Sequence, residues 1–129
     1  MIQVKTVTKF LFIVFAIFFT SCNKDDTAPA KSREVKFDIS GTFSGTLNVT
    51  YITASGGATN ESIPALPWTK SITYQSTVSG TTITIGGAGG IAGQTLKVKV
   101  FAGGSLVSET PGVATSAGVI VIASPTYIF

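Results

Sequence analysis

The sequence predicts an all-β protein, a single antiparallel β-sandwich of about seven strands preceded by a signal peptide and a short tether. Apolar and polar residues alternate with a period of two along much of the chain after residue 34, which is the pattern of half-buried strands. Segments rich in Gly, Ser and Pro separate the alternating runs and indicate turns. The chain has 129 residues and one Cys, so we expect one modest core without an internal disulfide.

The first 21 residues are typical of a secretion signal. Lys5 and Lys9 precede an uninterrupted apolar run over residues 10–19. A helix of that length would extend only about 15 Å, about half of a bilayer core, so we expect a cleaved signal rather than a membrane span.

The single cysteine, Cys22, lies where such a signal would be cut. Its position resembles the lipobox of bacterial lipoproteins, in which the thiol is acylated, for example with palmitate, and the cysteine becomes the new N-terminus. The alternative is an ordinary cleaved signal followed by an unmodified Cys. Several acyl chains would anchor the protein stably, since each buried CH₂ contributes about 0.8 kcal/mol, and membrane lipid is therefore the first predicted partner.

Residues 22–34 form a polar tether. Lys24, Asp25 and Asp26 resemble the surface-export signal of Bacteroidota-type lipoproteins, and this resemblance implies a surface-exposed protein of the bacterial outer membrane. These residues are also interpreted as a solvated linker that keeps the lipid away from the fold, which is compatible with an export signal. The alternative location is the periplasmic face. Thr27 lies in a short motif that resembles an O-glycosylation site of the same bacteria.

Residues 35–129 form the predicted domain, whose size and spacing of turns are those of an immunoglobulin-like sandwich. Turn signals occur at residues 55–57, 86–90, 102–104 and 110–112, and we expect a loop of about a dozen residues before residue 66. The last strand is continuously apolar, which is typical of a central strand buried on both faces. The predicted strands are 35–39, 47–51, 66–74, 83–85, 96–100, 106–107 and 119–123.

The predicted core centres on Trp68. Alternation places Trp68 on one face with Leu66 and Tyr74, and we expect Tyr51 to join them. Large aromatic side chains dominate small cores. The alternative is that Trp68 is an exposed platform that stacks on a sugar or a lipid.

The residue inventory argues against an enzyme. The chain has no His, which excludes Ser-His-Asp and Cys-His catalysis and Cys/His zinc sites. We predict no metal site, and the domain's carboxylates are scattered in the sequence, each expected to be a solvated charge. They are Glu34, Asp38, Glu61 and Glu109.

Two further classes of partner are also disfavoured. Residues 87–92 fit the dinucleotide pattern G-x-G-x-x-A, but residues 95–101 alternate as a strand, whereas pyrophosphate binding needs a helix N-terminus there. We therefore predict no cofactor. Removing Lys5 and Lys9 from the nine basic residues leaves seven against six acidic ones, a net charge of +1 that favours no nucleic-acid partner.

The run Leu66-Pro67-Trp68-Thr69-Lys70 carries a family resemblance. With residues 47–51 before it, the strand–turn–strand at 96–109 and the Gly/Ala-rich segment 112–118, it resembles the MmpS family (mycobacterial membrane protein, small), here in a lipoprotein form. Members of that family place a small β-sandwich outside a membrane anchor and assist MmpL exporters of the RND class.

The resemblance implies a protein that is accessory to membrane transport or envelope assembly. With the predicted lipid anchor at Cys22 and the missing catalytic groups, we therefore expect a non-catalytic, lipid-anchored envelope protein. Its unknown protein partner would then be a transporter or an envelope complex. The alternative function is a surface-exposed module that binds a glycan or another ligand. Pro67 also has a structural interpretation, because a residue without an N–H suits a strand start or a sheet edge.

We predict that the processed chain begins at an acylated Cys22. Mass spectrometry of the protein isolated from membranes should find the N-terminal peptide heavier by its acyl chains. An unmodified thiol at this position would contradict the predicted anchor.

Overall fold

The structure is a computed structural model that describes residues 30–129. The predicted signal peptide, Cys22, the export signal at residues 24–26 and Thr27 lie outside the described residues. Among the described residues we find no helix that could span a membrane.

The described residues form an antiparallel β-sandwich, which confirms the predicted fold class, and its first strand begins at Glu34. Alternating side chains make each main strand apolar on one face, and the sheets have the orders β4-β1-β7-β8 and β3-β2-β6-β9. A two-stranded ribbon, β5 with β10, closes one end. The strands are β1 Glu34–Gly41, β2 Thr46–Ile52, β3 Ala58–Ile63, β4 Trp68–Thr73, β5 Gly80–Thr81, β6 Ile83–Ala88, β7 Thr95–Ala102, β8 Ser105–Val113, β9 Ile120–Ala123 and β10 Tyr127–Ile128.

The core is the apolar layer between the two four-stranded sheets. Its centre comes from the inward faces of β1 and β7 on one side and of β2 and β6 on the other. Phe37 of β1 meets Tyr51 of β2 across this layer, with ring centroids 6.4 Å apart. The most deeply buried side chains include Val35, Phe37, Ile39, Val49, Ile83, Ile85, Leu96, Val98 and Val100.

The two ends of the sandwich differ in their relation to the tether. Arg33, the residue before β1, accepts a backbone hydrogen bond from Tyr74 (2.9 Å), and Glu34 accepts one from Gly103 (2.9 Å). Phe129 donates to Ser79 (3.0 Å) at the same end. We call this the tether end, and the opposite end, where β1 finishes at Gly41, the distal end.

Two predicted features of the C-terminal half are wrong. The segment 119–123 is an edge strand rather than a central one: β9 pairs only with β6, and Val121 on its outer face is 71% exposed. The run is continuously apolar because the outer face of β9 is apolar although no other described element covers it. The expected turn at 110–112 is part of β8, where Pro111 is tolerated because β8 is also an edge strand.

Two other segments also differ from the sequence prediction. The expected loop before residue 66 contains β3, which forms a hairpin with β2 from the pair Leu47 and Ile63 to the pair Ile52 and Ala58. This strand has few apolar residues, so its sequence does not show the apolar–polar alternation by which we recognised strands. The Gly-rich segment 86–90 begins inside β6, paired with both β2 and β9.

Adjacent glycines of β6 give a matched test of the packing. A Cβ at Gly87 would lie 2.6 Å from Leu47 Cδ2 and 2.8 Å from Phe43 Cε1, whereas a Cβ at Gly86 would meet nothing within 4 Å. We expect Gly87→Ala to lower the free energy of unfolding by about 1–3 kcal/mol through overpacking.

Gly86→Ala should instead leave the stability unchanged or raise it by up to about 1 kcal/mol, since Ala restricts the unfolded chain. Urea unfolding of both variants, followed by circular dichroism, measures the difference. Equal effects of the two substitutions would contradict the packing described for β6.

Candidate functional site at the distal end

Four loops form the distal end of the sandwich. They connect β1 to β2 (42–45), β3 to β4 (64–67), β6 to β7 (89–94) and β8 to β9 (114–119). None of their residues is charged. A partner at this end would therefore meet a neutral surface, in contrast to the tether end.

Gln94 joins three of these loops. Its Oε1 accepts hydrogen bonds from the backbone N–H groups of Ser44 (3.1 Å) and Ile91 (2.9 Å), and its Nε2 lies 3.0 Å from the Ser44 hydroxyl. The backbone carbonyl of Gln94 accepts from Ala114 N–H at 2.8 Å. One side chain and its own peptide thus fix the relative positions of the loops.

Glycines let the same loops approach each other closely. A Cβ on Gly90 would lie 2.3 Å from the ring of the buried Phe43, and one on Gly118 would lie 2.2 Å from the carbonyl oxygen of Gly90. Gly118 also has a φ of +71°, a conformation that side-chain-bearing residues rarely adopt. Gly90 N–H donates to the Gly118 carbonyl at 3.0 Å, so the distal end is tightly packed.

Apolar side chains project from this packed base. Ile91 is 66% exposed and Val113 is 62% exposed, and Val119 lies at the end of the fourth loop. A cleft of about 300 Å³ runs between the first loop and residues 63–66. A preorganised apolar surface binds with less loss of conformational entropy than a flexible one, and clustered exposed apolar residues mark interaction surfaces.

The predicted core residues are placed at two depths. Tyr51 and Tyr74 are buried, whereas Leu66 and Trp68 are only partly buried and pack against the core from its margin. Trp68 lies 6.5 Å from Tyr51, centroid to centroid. Trp68 is thus not the centre of the core as we expected, because β4 is an edge strand and its inward face borders the open side of the sandwich.

The structure brings together chemical groups that the sequence separates. Tyr51 Oη donates to Glu61 Oε2 at 2.7 Å, and Lys70 Nζ donates to the same oxygen at 3.1 Å. Lys70 also lies over the Tyr51 ring, 5.4 Å from its centroid. This cluster links β3 to β4 across the open side, and Glu61 is therefore not the isolated charge that we expected.

The contacts within this cluster move the pKa values of Glu61 and Lys70 further from neutral pH. Hydrogen bonding by Tyr51 and then by Lys70 lowers the pKa of Glu61. The neighbouring Tyr51 hydroxyl, followed by the hydrogen bond to Glu61, raises the pKa of Lys70. Both shifts favour the charged forms, so Glu61 and Lys70 form an ion pair. General acid–base catalysis instead uses groups whose pKa is shifted towards the working pH.

The remaining carboxylates stay apart from this cluster. Glu109 Oε1 accepts a hydrogen bond from Lys97 Nζ at 2.9 Å, and this bond lowers the pKa of Glu109. Across residues 30–129, no three Asp, Glu, Cys or His residues lie together as ligands for a metal ion.

Sequence reasoning did not identify Gln94 or the distal loops as a site. The available signal was the Gly-rich run 86–93 together with 112–118. We interpreted the first segment as a turn after rejecting a dinucleotide site, and the second as part of the family resemblance. That both segments meet at one end follows from the pairing of β6 with β9, which the local pattern does not contain. Lys70 shares the inward face of β4 with Trp68 by simple alternation, but its partner lay in the unrecognised β3.

We compared the sequence with protein families and with curated proteins. No protein-family model matches the sequence, and a search of curated proteins finds no significant match.

We expect Gln94→Ala to loosen the distal end while leaving the sandwich intact. Loss of its hydrogen bonds should lower the free energy of unfolding by about 1–3 kcal/mol and speed amide exchange at Ser44 and Ile91. Hydrogen exchange followed by mass spectrometry or NMR measures this change.

Gln75→Ala is the matched control, since the Gln75 side chain is exposed and the hydrogen bonds of this residue are made by its backbone groups. Unchanged exchange at Ser44 and Ile91 in the Gln94 variant would show that the side chain does not hold the loops together.

Proposed function

We propose that this protein is a non-catalytic, lipid-anchored protein of the bacterial envelope that docks a partner protein on its distal end. Consistent with the MmpS-like resemblance, the partner would be a component of a membrane transport system or an envelope assembly complex. The observation that carries the proposal is the set of uncharged, preorganised distal loops from which the apolar Ile91 projects, at the end of the domain opposite the tether.

The position of this surface supports a docking role. A chain anchored through Cys22 would reach the domain at Arg33 and Glu34, because these residues begin β1 at the tether end. The distal loops would therefore point away from the membrane, where a partner can approach. Absence of charge in these loops favours a partner recognised by shape and apolar contact rather than by ionic steering.

The charged groups support a role without catalysis. Glu61 and Lys70 are paired, and their pKa shifts stabilise the charged forms of both. Because the chain contains no His, the groups left for proton transfer near neutral pH are few.

The alternative, a module that binds a glycan, has less support from the geometry. Stacking on a sugar ring needs an exposed aromatic face, and Tyr51 and Tyr74 are buried while Trp68 is partly covered. The distal end has Phe43 as its aromatic residue, and this side chain is also buried.

For location, we propose the outer membrane with the domain exposed at the cell surface, and the periplasmic face as the alternative. The identity of the partner separates the two. A domain at the outer surface cannot reach an exporter in the inner membrane, so an inner-membrane partner would favour the periplasmic face.

A photo-crosslinking amino acid in place of Ile91 tests the docking role in intact cells. We expect it to give a discrete adduct, identified by mass spectrometry as a transport or envelope component. The same substitution of Ser55, which is exposed in the β2–β3 loop of the tether end, is the matched control and should give no such adduct. The same adducts from both positions, or none from Ile91, would contradict docking at the distal end.

A further inference from the structure

The tether end carries a cluster of cations and aromatic rings. Arg33 Cζ lies 4.7 Å from the centroid of the Phe129 ring, and Lys31 Nζ lies 5.8 Å from that of Tyr127. The Tyr127 and Phe129 rings meet edge to face at 5.4 Å. We call Lys31, Arg33 and residues 127–129 the foot.

The foot is fixed to the sandwich. Arg33 Nη1 donates to the carbonyl oxygens of Gln75 (2.7 Å) and Val78 (2.8 Å). Tyr127 Oη donates to the carbonyl of Ser32 at 3.2 Å, and the ribbon of β5 and β10 holds the backbone of the C-terminal residues.

Ile128 is the apolar tip of the foot. It lies between two partly buried aromatic residues and is itself 53% exposed. The contacts among residues 30–129 therefore order this segment without covering its apolar side chain.

The net side-chain charge of the described domain is concentrated at this end. Residues 31–36 contain three cations and one anion, so they contribute +2. All other charged side chains of residues 37–129 balance, three cations against three anions. The first set is Lys31, Arg33, Lys36 and Glu34, and the second is Lys70, Lys97, Lys99, Asp38, Glu61 and Glu109.

The length of the tether keeps this end near the anchor. Seven residues lie between Cys22 and Ala30, and the eight residue-to-residue steps of a fully extended chain span at most about 28 Å. Tyr and Trp rings concentrate at membrane–water interfaces, and Lys and Arg bind anionic leaflets there. The foot combines these features at the end of the domain that the tether reaches.

We propose that the foot rests on the lipid headgroup region of the membrane that holds Cys22. Ile128 enters the interface, Tyr127 and Phe129 lie at headgroup level, and Lys31 faces lipid phosphates. This inference rests on the lipid anchor of the proposed function, and it makes the anchored domain stand upright rather than move freely on its tether.

The test uses the full processed chain in vesicles of phosphatidylcholine and phosphatidylglycerol. An environment-sensitive dye is attached to Ile128→Cys, and in a matched variant to Ile91→Cys at the distal end. Acylated Cys22 has no free thiol, so each variant carries one dye. We expect a blue shift and quenching by headgroup-labelled lipids at position 128, and an aqueous spectrum at position 91.

Charge variants separate a specific contact from simple proximity. Each cation near an anionic leaflet changes the surface affinity about fivefold, so Lys31→Glu should return the dye at position 128 towards its aqueous emission. Lys97→Glu, on the outer face of β7, should leave it unchanged. Arg33 is kept in all variants because its hydrogen bonds hold the fold.

The possible failures are distinguishable. A chain that does not float with the vesicles would overturn the lipid anchor, and the foot with it. A chain that floats but gives an aqueous spectrum at position 128 would overturn the foot alone. Equal blue shifts at positions 128 and 91 would show a domain lying on its side and would also overturn the upright orientation.

Discussion

The apolar layer between the two four-stranded sheets is the interaction on which the rest of the structure depends. The chain has one Cys and so no internal disulfide, and burial of alternating side chains must offset the entropy of ordering about a hundred residues. Phe37 and its neighbours on β1 and β7 fill one side of this layer, and Val49 and Ile85 fill the other. Every loop is positioned by strands that this layer holds in register.

The layer also gives the molecule two unlike ends. At the distal end, close glycine contacts and Gln94 join three of the four neutral loops into one surface with Ile91 exposed. At the tether end, Arg33 and the C-terminal aromatic residues pack together, and the net charge is concentrated there. An anchored protein with such polarity can hold one end at a membrane and offer the other to a partner, which is the basis of both proposals.

The open sides of the sandwich are closed by different means. Between β3 and β4, the bonds of Glu61 with Tyr51 and Lys70 bridge the sheets, and partial exposure of this pair limits its contribution to stability. Between β8 and β9, the absence of a side chain at Gly112 lets Ile122 pack close to the β8 backbone. Polar groups thus connect the two sheets at the open side between β3 and β4, whereas close apolar packing connects them between β8 and β9.

Alternation alone determined the all-β class, the strands that became β1, β2 and β7, and the burial of Tyr51 and Tyr74, because one-sided burial imposes a period of two on any such strand. It could not determine β3 or the edge position of β9. The inward positions of β3 include Thr59 and Glu61, which face a seam rather than the core, and the outer face of β9 is apolar without being covered. Only the tertiary structure decided which loops share an end and that Glu61 meets Lys70, since strand order brings together residues that are distant in the sequence and leaves no mark on the local pattern.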